Sequence, residues 1–308
     1  MSKLAYIFPG QGSQYVGMGK DLFEKNSAAQ ELYKIADKIL GFSLSKICFE
    51  GPESELKQTK NTQLAIFLHS VVLTKLLHYQ DVVATAGHSL GEYSALVFAG
   101  AISFEDGLKL VRLRGELMQK TGEEQQGTMA AIIGLEPQVV GEVCCKAYPE
   151  GIVQSANYNS PGQVVISGSV NGVRKAMDIA KEYGAKLVKE LVVSGAFHSP
   201  LMQSAREGLQ QALATTPMQD ARIPVYANVN AKPLQKAEKI RTLLVEQVTS
   251  AVRWEECSRN MITDGITSFV EVGPGKVLQG LIKRIDSSVE VRGIDTYADI
   301  EKSIPVSL

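Results

Sequence analysis

The sequence is poor in the residue types that most often mark a functional site. Its 308 residues include one tryptophan, four cysteines and four histidines, and 32 Lys and Arg are balanced by 33 Asp and Glu, a net charge of −1. A nucleic-acid groove or a membrane-binding surface needs a concentrated positive field, so this balance argues against both partners. Any histidine base must be one of four residues: His69, His78, His88 or His198.

The cysteines and the apolar runs exclude further classes of protein. The four cysteines (Cys48, Cys144, Cys145 and Cys257) have no C-x-x-C spacing, so neither a metal site nor a disulfide framework is expected, and we predict buried thiols in a reduced compartment. The apolar run at residues 4–8 is too brief for a signal peptide. The most apolar internal stretch, residues 64–77, is shorter than the ~18 residues that span a bilayer. A soluble cytoplasmic protein is expected.

Strand and helix patterns alternate along most of the chain. Residues 4–8 (LAYIF) and 82–86 (VVATA) are apolar runs that predict buried strands, each followed by a glycine-containing turn. Strand-like runs return at residues 223–229 and 268–272. Helical periodicity before residue 127 covers four segments: 27–40, 61–79, 90–99 and 103–121. The length suits one large or two ordinary α/β domains.

The pattern changes at Gly127. The predicted order from there is strand, helix, strand, strand, helix, strand, over residues 129–133, 137–147, 152–157, 163–167, 172–183 and 186–193. This is the β-α-β-β-α-β order of a ferredoxin-like unit. We therefore predict a small ferredoxin-like subdomain at residues 127–195, inserted into a large α/β domain made of residues 1–126 and 196–308.

Residues 87–91 (GHSLG) give the strongest local signal. A G-x-S-x-G string between a strand and a helix is typical of a nucleophile elbow, in which a sharp turn exposes the serine hydroxyl. A side chain at position 87 or 91 would collide with the flanking backbone. Ser89 is therefore the candidate nucleophile, and the backbone N–H of Leu90 could stabilise an oxyanion. The alternative is an ordinary strand-to-helix turn.

A serine nucleophile needs a base. His69 and His78 fall within the predicted helix over residues 61–79, where a structural role is expected. His88 adjoins Ser89, but neighbouring residues on a sharp turn point apart, so we expect it to pack beneath the turn. His198 lies in a loop between a strand and a helix, where catalytic groups often sit. It is the favoured base, the alternative being a histidine packed at a helix entrance.

No acidic residue stands out as the third member of a triad. In the chain order of α/β hydrolases the acid lies between the serine and the histidine. Five acids there belong to predicted helices or to loops that end no strand of the large domain: Asp106, Glu123, Glu124, Glu150 and Asp178. The pattern is consistent with a Ser–His dyad oriented by a backbone carbonyl.

Two polar residues share the apolar faces of predicted helices. Arg114 lies in the middle of a stripe formed by Leu110, Val111, Leu117 and Met118. A buried guanidinium needs an anion. That anion is an internal acid or a substrate carboxylate, unless the side chain snorkels to the surface. Gln247 shares a stripe with Ile240, Leu243 and Leu244, and either points an amide into a site or is an ordinary hydrogen-bonded core residue.

Two glycine-containing loops do not match nucleotide-binding motifs. The loop at residues 10–12 lacks the third glycine of the dinucleotide fingerprint, because position 15 is Tyr15, and residues 273–276 (GPGK) lack the spacing of a P-loop. Both are expected to be plain turns. The first follows a strand and could supply a backbone N–H to an oxyanion hole.

Taken together, these segments resemble the malonyl-CoA:acyl carrier protein transacylases in order and spacing. The resemblance covers nearly the whole chain and rests on residues 8–14 (FPGQGSQ), 87–93 (GHSLGEY), Arg114, 127–134 (GTMAAIIG), 159–168 (NSPGQVVISG), 196–200 (AFHSP) and 271–278 (EVGPGKVL). It implies an α/β-hydrolase-like large domain with an inserted ferredoxin-like subdomain.

The resemblance also implies a reaction. A malonyl group would pass from malonyl-CoA to Ser89, deprotonated by His198, and then to the phosphopantetheine thiol of a holo acyl carrier protein, in fatty-acid or polyketide synthesis. The backbone N–H groups of Gln11 and Leu90 would form the oxyanion hole. Arg114 would pair with the malonyl carboxylate. No metal or other cofactor is implied, and a monomer is expected.

Two further roles follow from the same resemblance. The main-chain carbonyl of Gln247 would orient His198, in agreement with the missing acid. In related polyketide acyltransferases a phenylalanine just before the catalytic histidine tends to accompany malonyl rather than methylmalonyl selection, so Phe197 favours malonyl. Because some malonyl-using relatives carry serine there, Phe197 is supporting evidence only.

Two other functions remain open from the sequence. A serine hydrolase or thioesterase could use the same dyad, but a hydrolase of neutral acyl groups has no use for a buried Arg114. A non-catalytic carrier-protein binder would not need Ser89 and His198. Since the net charge is balanced, attraction for an acidic carrier must be local. The candidates are Lys186, Lys189, Lys276, Lys283 and Arg284, and ordinary solvated surface is the favoured interpretation of any one of them.

Overall fold

The computed structural model describes residues 3–77 and 81–303, a range that leaves out His78. Within this range the chain has a mixed α/β fold with ten strands in two sheets. The strands are β1 (Lys3–Phe8), β2 (Val82–Gly87), β3 (Gly127–Ile133), β4 (Val153–Ser160), β5 (Gln163–Ser169), β6 (Leu187–Glu190), β7 (Val225–Tyr226), β8 (Pro233–Leu234), β9 (Ile266–Val272) and β10 (Glu290–Ile294).

Fourteen helices lie in the same part of the chain. They are α1 (Lys20–Lys25), α2 (Ser27–Leu40), α3 (Leu44–Glu50), α4 (Glu53–Leu56), α5 (Thr59–Leu76), α6 (Gly91–Phe98), α7 (Phe104–Glu124), α8 (Pro137–Ala147), α9 (Val170–Glu182), α10 (Gln203–Thr215), α11 (Ala237–Gln247), α12 (Trp254–Thr263), α13 (Val277–Ile285) and α14 (Tyr297–Ser303). Of the helices described, none is long and apolar enough to cross a membrane.

The larger sheet has six strands in the order β10-β9-β1-β2-β7-β8. All neighbours are parallel except β7 and β8. Side chains of β1 alternate between two cores, with Ala5 and Ile7 on one face and Tyr6 and Phe8 on the other. Phe8 pairs with Gly87, so β1 and β2 end side by side and the loops that follow them meet at one edge of the sheet.

The smaller sheet is antiparallel and has the order β4-β5-β3-β6. Along the chain its elements follow the order β3, α8, β4, β5, α9, β6. Apolar residues of α8 and α9 form one core with this sheet, including Val140, Val143, Val173 and Ala176. The bounds of α8 are those predicted from the sequence, and α9 begins two residues earlier than predicted.

Three predicted elements end three residues earlier in the structure than predicted. The helix predicted over residues 61–79 is α5, which ends at Leu76 because Leu77 is extended. The strand predicted over 186–193 is only β6; residues 191–195, called the strap below, follow it as a loop, and the hydroxyl of Ser194 lies 2.6 Å from that of Thr59, the first residue of α5. The strand predicted over 223–229 is only β7, since the N–H of Asn228 turns toward a side chain instead of a strand.

The prediction of four buried thiols is wrong for Cys145. All four cysteines are free, and Cys48, Cys144 and Cys257 are buried, but Cys145 is exposed. Successive residues on α8 lie about 100° apart, so the neighbour of the buried Cys144 faces solvent.

Candidate active site

The turn between β2 and α6 is a sharp elbow whose geometry requires its glycines. A Cβ added at Gly87 would lie 1.9 Å from the carbonyl carbon of Gly91, and one added at Gly91 would lie 2.1 Å from the carbonyl oxygen of Phe8. Ser89 itself has a φ of 52°, in the left-handed region that non-glycine residues rarely adopt. Such strain persists only where the surroundings enforce it, and here it points the serine hydroxyl away from the sheet.

Ser89 and His198 form a hydrogen-bonded pair. Ser89 Oγ lies 2.8 Å from His198 Nε2, and His198 Nδ1 lies 2.9 Å from the carbonyl oxygen of Gln247 and 3.1 Å from that of Ser250. Because carbonyl oxygens only accept, Nδ1 carries the proton and Nε2 is free to accept from the serine hydroxyl. The position of a triad acid is thus taken by two backbone carbonyls.

The surroundings of His198 favour its neutral form. Burial lowers the pKa of the imidazole to about 3, and the nearby Arg114 cation acts in the same direction. An imidazole that stays neutral at ordinary pH can accept a proton at Nε2.

We expect His198 to stay neutral from about pH 8 down to about pH 5, because a depressed pKa delays protonation. Between pH ~6.5, the ordinary pKa of histidine, and pH about 3, His198 is protonated in the unfolded chain but neutral in the folded chain. The free energy of unfolding contributed by this residue therefore decreases as the pH falls through that window. Histidine ¹⁵N chemical shifts, assigned with His198→Gln, measure this directly. A His198 midpoint near the ordinary histidine pKa would contradict it.

Arg114 is a buried cation held only by neutral groups. The side chain is 1% exposed; Nη1 donates to Gln63 Oε1 over 2.6 Å, and Nη2 donates to Ser89 Oγ over 3.0 Å and to Gln247 Oε1 over 3.1 Å. The Tyr93 ring lies 5.6 Å away. No Asp or Glu of the described residues forms an ion pair with it. The site therefore presents a positive charge beside Ser89 that no carboxylate contacts directly; the acid that interacts with it electrostatically, Glu92, is linked to it through Gln247.

The site opens into a cavity of about 210 Å³. At the ~30 Å³ that each molecule takes in liquid water, this volume equals about seven waters, which suits a short acyl group. Six of the seven site residues predicted from the sequence line it: Gln11, Ser89, Leu90, Arg114, Phe197 and His198. Gln247 lies behind them and donates from Nε2 to the carbonyl oxygen of Ser89 over 3.0 Å.

The loop after β1 packs directly on the elbow. A Cβ at Gly10 would lie 2.5 Å from the carbonyl oxygen of His88. Within residues 3–77 and 81–303, the backbone N–H groups of Gln11 and Leu90 donate no hydrogen bond, although both residues line the cavity. Two free donors at the end of parallel strands are suited to hold a developing oxyanion.

The other described histidines have structural partners. His88 packs against the buried ring of Trp254, with ring centroids 5.7 Å apart; it also lines the cavity, and its Nε2 lies 2.8 Å from Asn159 Oδ1. His69 is buried in α5, as predicted for a structural residue, and its Nε2 lies 2.9 Å from Asp295 Oδ1. Neither contacts Ser89 Oγ within hydrogen-bond distance.

Three polar residues at the site were missed by the sequence analysis. Glu92 and Asn228 are buried behind the elbow, and Gln63 binds Arg114 from α5. Burial raises the pKa of Glu92 to about 7, against hydrogen bonds from Asn228 and Gln247 that lower it. The usable signal was the presence of these polar residues in otherwise apolar segments, above all Glu92 in the short buried helix α6.

A wider surface groove, of about 600 Å³, lies between α8 and α12. Its charged residues neutralise each other, since Arg253 pairs with Glu256 and Arg259 with Glu255. It contains neither Ser89 nor His198, so the smaller cavity is the candidate active site.

The sequence and the fold are those of an acyl transferase. A family model described as acyl transferase domain matches residues 5–301. A malonyl CoA-acyl carrier protein transacylase of Bacillus subtilis (strain 168) is 45% identical over 307 residues, which cover 99% of this chain and 97% of that protein.

Solved structures agree with the sequence relatives. A malonyl CoA-acyl carrier protein transacylase from Coxiella burnetii has a TM-score of 0.95 at 38% identity, covering 98% of this chain and 97% of the other. A malonyl-transacylase in complex with a type II polyketide synthase acyl carrier protein also has a TM-score of 0.95, at 39% identity, covering 98% and 99%. The chain therefore belongs to the acyl transferase family and, within it, to the malonyl-CoA:acyl carrier protein transacylases.

Proposed function

We propose that the protein transfers the malonyl group of malonyl-CoA to the phosphopantetheine thiol of a holo acyl carrier protein through a malonyl-serine intermediate. The observation that carries the proposal is Arg114: a buried cation, without a carboxylate partner among the described residues, 3.0 Å from the hydroxyl of Ser89. A substrate with a carboxylate two bonds from its thioester carbon supplies the missing anion. The names of the relatives support the same substrate.

In the first half-reaction Ser89 is acylated. Its hydroxyl proton moves to His198 Nε2 as Oγ attacks the thioester carbon, and the backbone N–H groups of Gln11 and Leu90 hold the resulting oxyanion. The carbon–sulfur bond then breaks, and the departing CoA thiolate takes the proton from Nε2. The carbonyls of Gln247 and Ser250 keep Nδ1–H in place throughout.

In the second half-reaction the carrier accepts the malonyl group. The phosphopantetheine thiol gives its proton to His198 Nε2 and attacks the ester carbon of malonyl-Ser89. The ester carbon–oxygen bond breaks, and Ser89 recovers the proton. The free enzyme is restored without any metal or cofactor.

Arg114 and Phe197 account for substrate choice in this proposal. The guanidinium pairs with the malonyl carboxylate in place of its bond to Ser89 Oγ, which favours malonyl over uncharged acyl groups. The buried Phe197 ring stands in the cavity wall beside His198, and its bulk favours malonyl over methylmalonyl. A serine hydrolase or thioesterase of neutral acyl groups would gain nothing from Arg114, so the transferase is preferred.

The proposed function is tested by mixing the protein with malonyl-CoA and a holo acyl carrier protein and following the mass of the carrier. We expect a malonylated carrier to accumulate while little free malonate forms. Rapid release of malonate with an unmodified carrier would favour the hydrolase instead.

We further propose a division of the chain into two parts that build the site together. Residues 1–126 and 196–308 form an α/β-hydrolase-like domain around the six-stranded sheet, and residues 127–195 form the inserted ferredoxin-like subdomain. The cavity lining supports this division, because Ser89 and Arg114 come from the first part and Met129 and Asn159 from the second. We propose a monomer in the cytoplasm that binds neither nucleic acid nor membrane.

The carrier is proposed to dock where exposed basic residues surround the cavity mouth. Arg284 Nη1 donates to Gln163 Oε1 over 2.7 Å, and Gln163 lines the cavity. The side chain of Lys186 packs beside Gly134. The N–H of Gly134 bonds to the carbonyl of Gly162, the residue before the cavity-lining Gln163. The exposed Lys276 adjoins Val277, another lining residue. Lys283, by contrast, is engaged by the carbonyls of Ser287 and Val289.

Arg284→Glu is expected to raise KM for the carrier about tenfold, because a local positive charge attracts an acidic partner. Acylation of Ser89 by malonyl-CoA should change little, and added salt should reduce the difference between the two proteins. Lys38→Glu, an equal charge change on the exposed face of α2, is the matched control. An Arg284→Glu protein with the unaltered KM would place the carrier elsewhere.

A further inference from the structure

Glu92 is a buried acid that the proposed reaction does not use. It lies in the first turn of α6, three residues after Ser89, and is 3% exposed. Its Oε2 accepts two hydrogen bonds, from the backbone N–H of Asn228 over 3.0 Å and from Gln247 Nε2 over 2.9 Å. No Lys or Arg of the described chain forms an ion pair with it.

The first partner of Glu92 holds the elbow. Asn228 Oδ1 accepts from the backbone N–H of Ser89 over 2.7 Å, and Asn228 Nδ2 donates to the carbonyl of Gly87 over 2.7 Å. Asn228 is therefore hydrogen-bonded to the elbow backbone at two positions, Gly87 and Ser89. The bond to Glu92 fixes the backbone of Asn228 itself.

The second partner of Glu92 holds the cation. Gln247 Nε2 faces Glu92 and the carbonyl of Ser89, while Gln247 Oε1 accepts from Arg114 Nη2 over 3.1 Å. A flipped amide would place Nε2 against the guanidinium, donor against donor, and Oε1 against two acceptors. Gln63 holds Nη1 of Arg114, and the orientation of the Gln247 amide decides whether Nη2, the nitrogen that faces Ser89, is held as well.

We propose that Glu92 is a positioning residue. By accepting from Gln247 and Asn228 on one oxygen, it fixes the Gln247 amide and the elbow, and so keeps the Arg114 guanidinium beside the Ser89 hydroxyl. The inference rests on the proposed function, since it concerns how the malonyl carboxylate is met. Both bonds end on Oε2, so that oxygen serves as acceptor whether or not Oε1 carries a proton. A glutamine can place its own carbonyl oxygen there and keep both bonds.

The test compares Glu92→Met with Glu92→Gln, using holo acyl carrier protein with malonyl-CoA or acetyl-CoA as donor. Glu92→Met keeps the volume and removes the acceptor; we expect kcat/KM for malonyl-CoA to fall about 30-fold and the malonyl-to-acetyl preference to fall about tenfold. The preference falls because acetyl has no carboxylate for Arg114. Glu92→Gln should stay within about threefold of the unmutated protein.

Asp37→Asn is the control for loss of a carboxylate, because the carboxylate of Asp37 accepts from Ser43 and Ser45 and does not line the cavity. Should Glu92→Met fail to fold, Glu92→Leu removes the same acceptor with a branched apolar side chain and leaves the direct bond between Gln247 and Arg114 available. It should show the same loss of preference.

Three results would overturn the inference. Malonyl and acetyl transfer could fall together with the melting temperature, which indicates a residue that only supports the fold. Glu92→Met could have unaltered preference, or Glu92→Gln could be as impaired as Glu92→Met. If the unmutated protein itself transfers no malonyl group, that result contradicts the proposed function and not the positioning role of Glu92 in particular.

Discussion

Replacing Ser89 with alanine is expected to abolish formation of a malonylated protein and to lower malonyl transfer at least about 10⁴-fold. In the proposed mechanism this hydroxyl is the group that His198 activates, over a distance of 2.8 Å, and the backbone N–H groups of Gln11 and Leu90 stabilise the oxyanion that forms when it attacks. Intact mass after incubation with malonyl-CoA measures the adduct, and initial rates with a holo carrier measure the transfer.

Ser94→Ala is the matched control for this substitution. Ser94 lies in α6, one turn beyond the elbow, and its buried hydroxyl has no hydrogen-bond partner among the described residues. Its removal should leave both the adduct and the transfer rate nearly unchanged. A malonyl adduct that persists in Ser89→Ala but disappears in another serine variant would move the nucleophile elsewhere.

Arg114→Ala is expected to remove the preference for malonyl while leaving some transfer of uncharged acyl groups. Deleting one partner of a desolvated charge pair leaves the other unpaired, so kcat/KM for malonyl-CoA should fall about 10²–10³-fold. Acetyl-CoA makes no such pair and should lose far less. The ratio of the two kcat/KM values is the quantity to report, because it cancels any general damage to the site.

Arg112→Ala provides the comparison for Arg114. Arg112 is on the same helix but half-exposed and away from the cavity: Nε pairs with Glu116 over 2.9 Å and Nη1 donates to the carbonyl of Leu40 over 3.0 Å, and such surface pairs contribute little. Its loss should not alter the ratio. Malonyl kinetics that are unaltered in Arg114→Ala would rule out the carboxylate clamp and return the hydrolase hypothesis to consideration.

The parts of the site that sequence could predict are those fixed by local geometry. The elbow needs glycine at positions 87 and 91 within a strand-turn-helix pattern, so Ser89 could be recognised from adjacent residues alone. Arg114 could be recognised because one helical stripe carried a cation among apolar side chains. The bounds of α2 and α8 were equally local, since each helix has a clear start signal and one continuous apolar face.

The parts that sequence could not predict depend on contacts between distant segments. Glu92, Asn228 and Gln247 lie within one hydrogen-bond network although they come from three separate stretches of chain. Strand β6 ends early because the strap that follows it contacts Thr59 and Gly122 through Ser194. The sequence of residues 186–193 contains no sign of these distant contacts. The same holds for β7, where Asn228 turns its N–H toward Glu92.

Charge balance illustrates how far composition can be used. A net charge of −1 argued against nucleic acid but carried no information about Arg114, a buried cation that donates to the Ser89 hydroxyl over 3.0 Å. The structure supplies its surroundings: Gln63, Gln247 and the serine hydroxyl, all uncharged. Local electrostatics, not the overall charge, determines which substrate this site can hold.

The most direct test of the central claim is a single-turnover chase. The protein is loaded with malonyl-CoA, freed of CoA, and mixed with a holo acyl carrier protein while the masses of both proteins are followed. The proposed mechanism predicts that the malonyl mass leaves Ser89 and appears on the carrier in equal amount. Release of free malonate at the rate at which the enzyme loses its adduct, with the carrier unmodified, would contradict it.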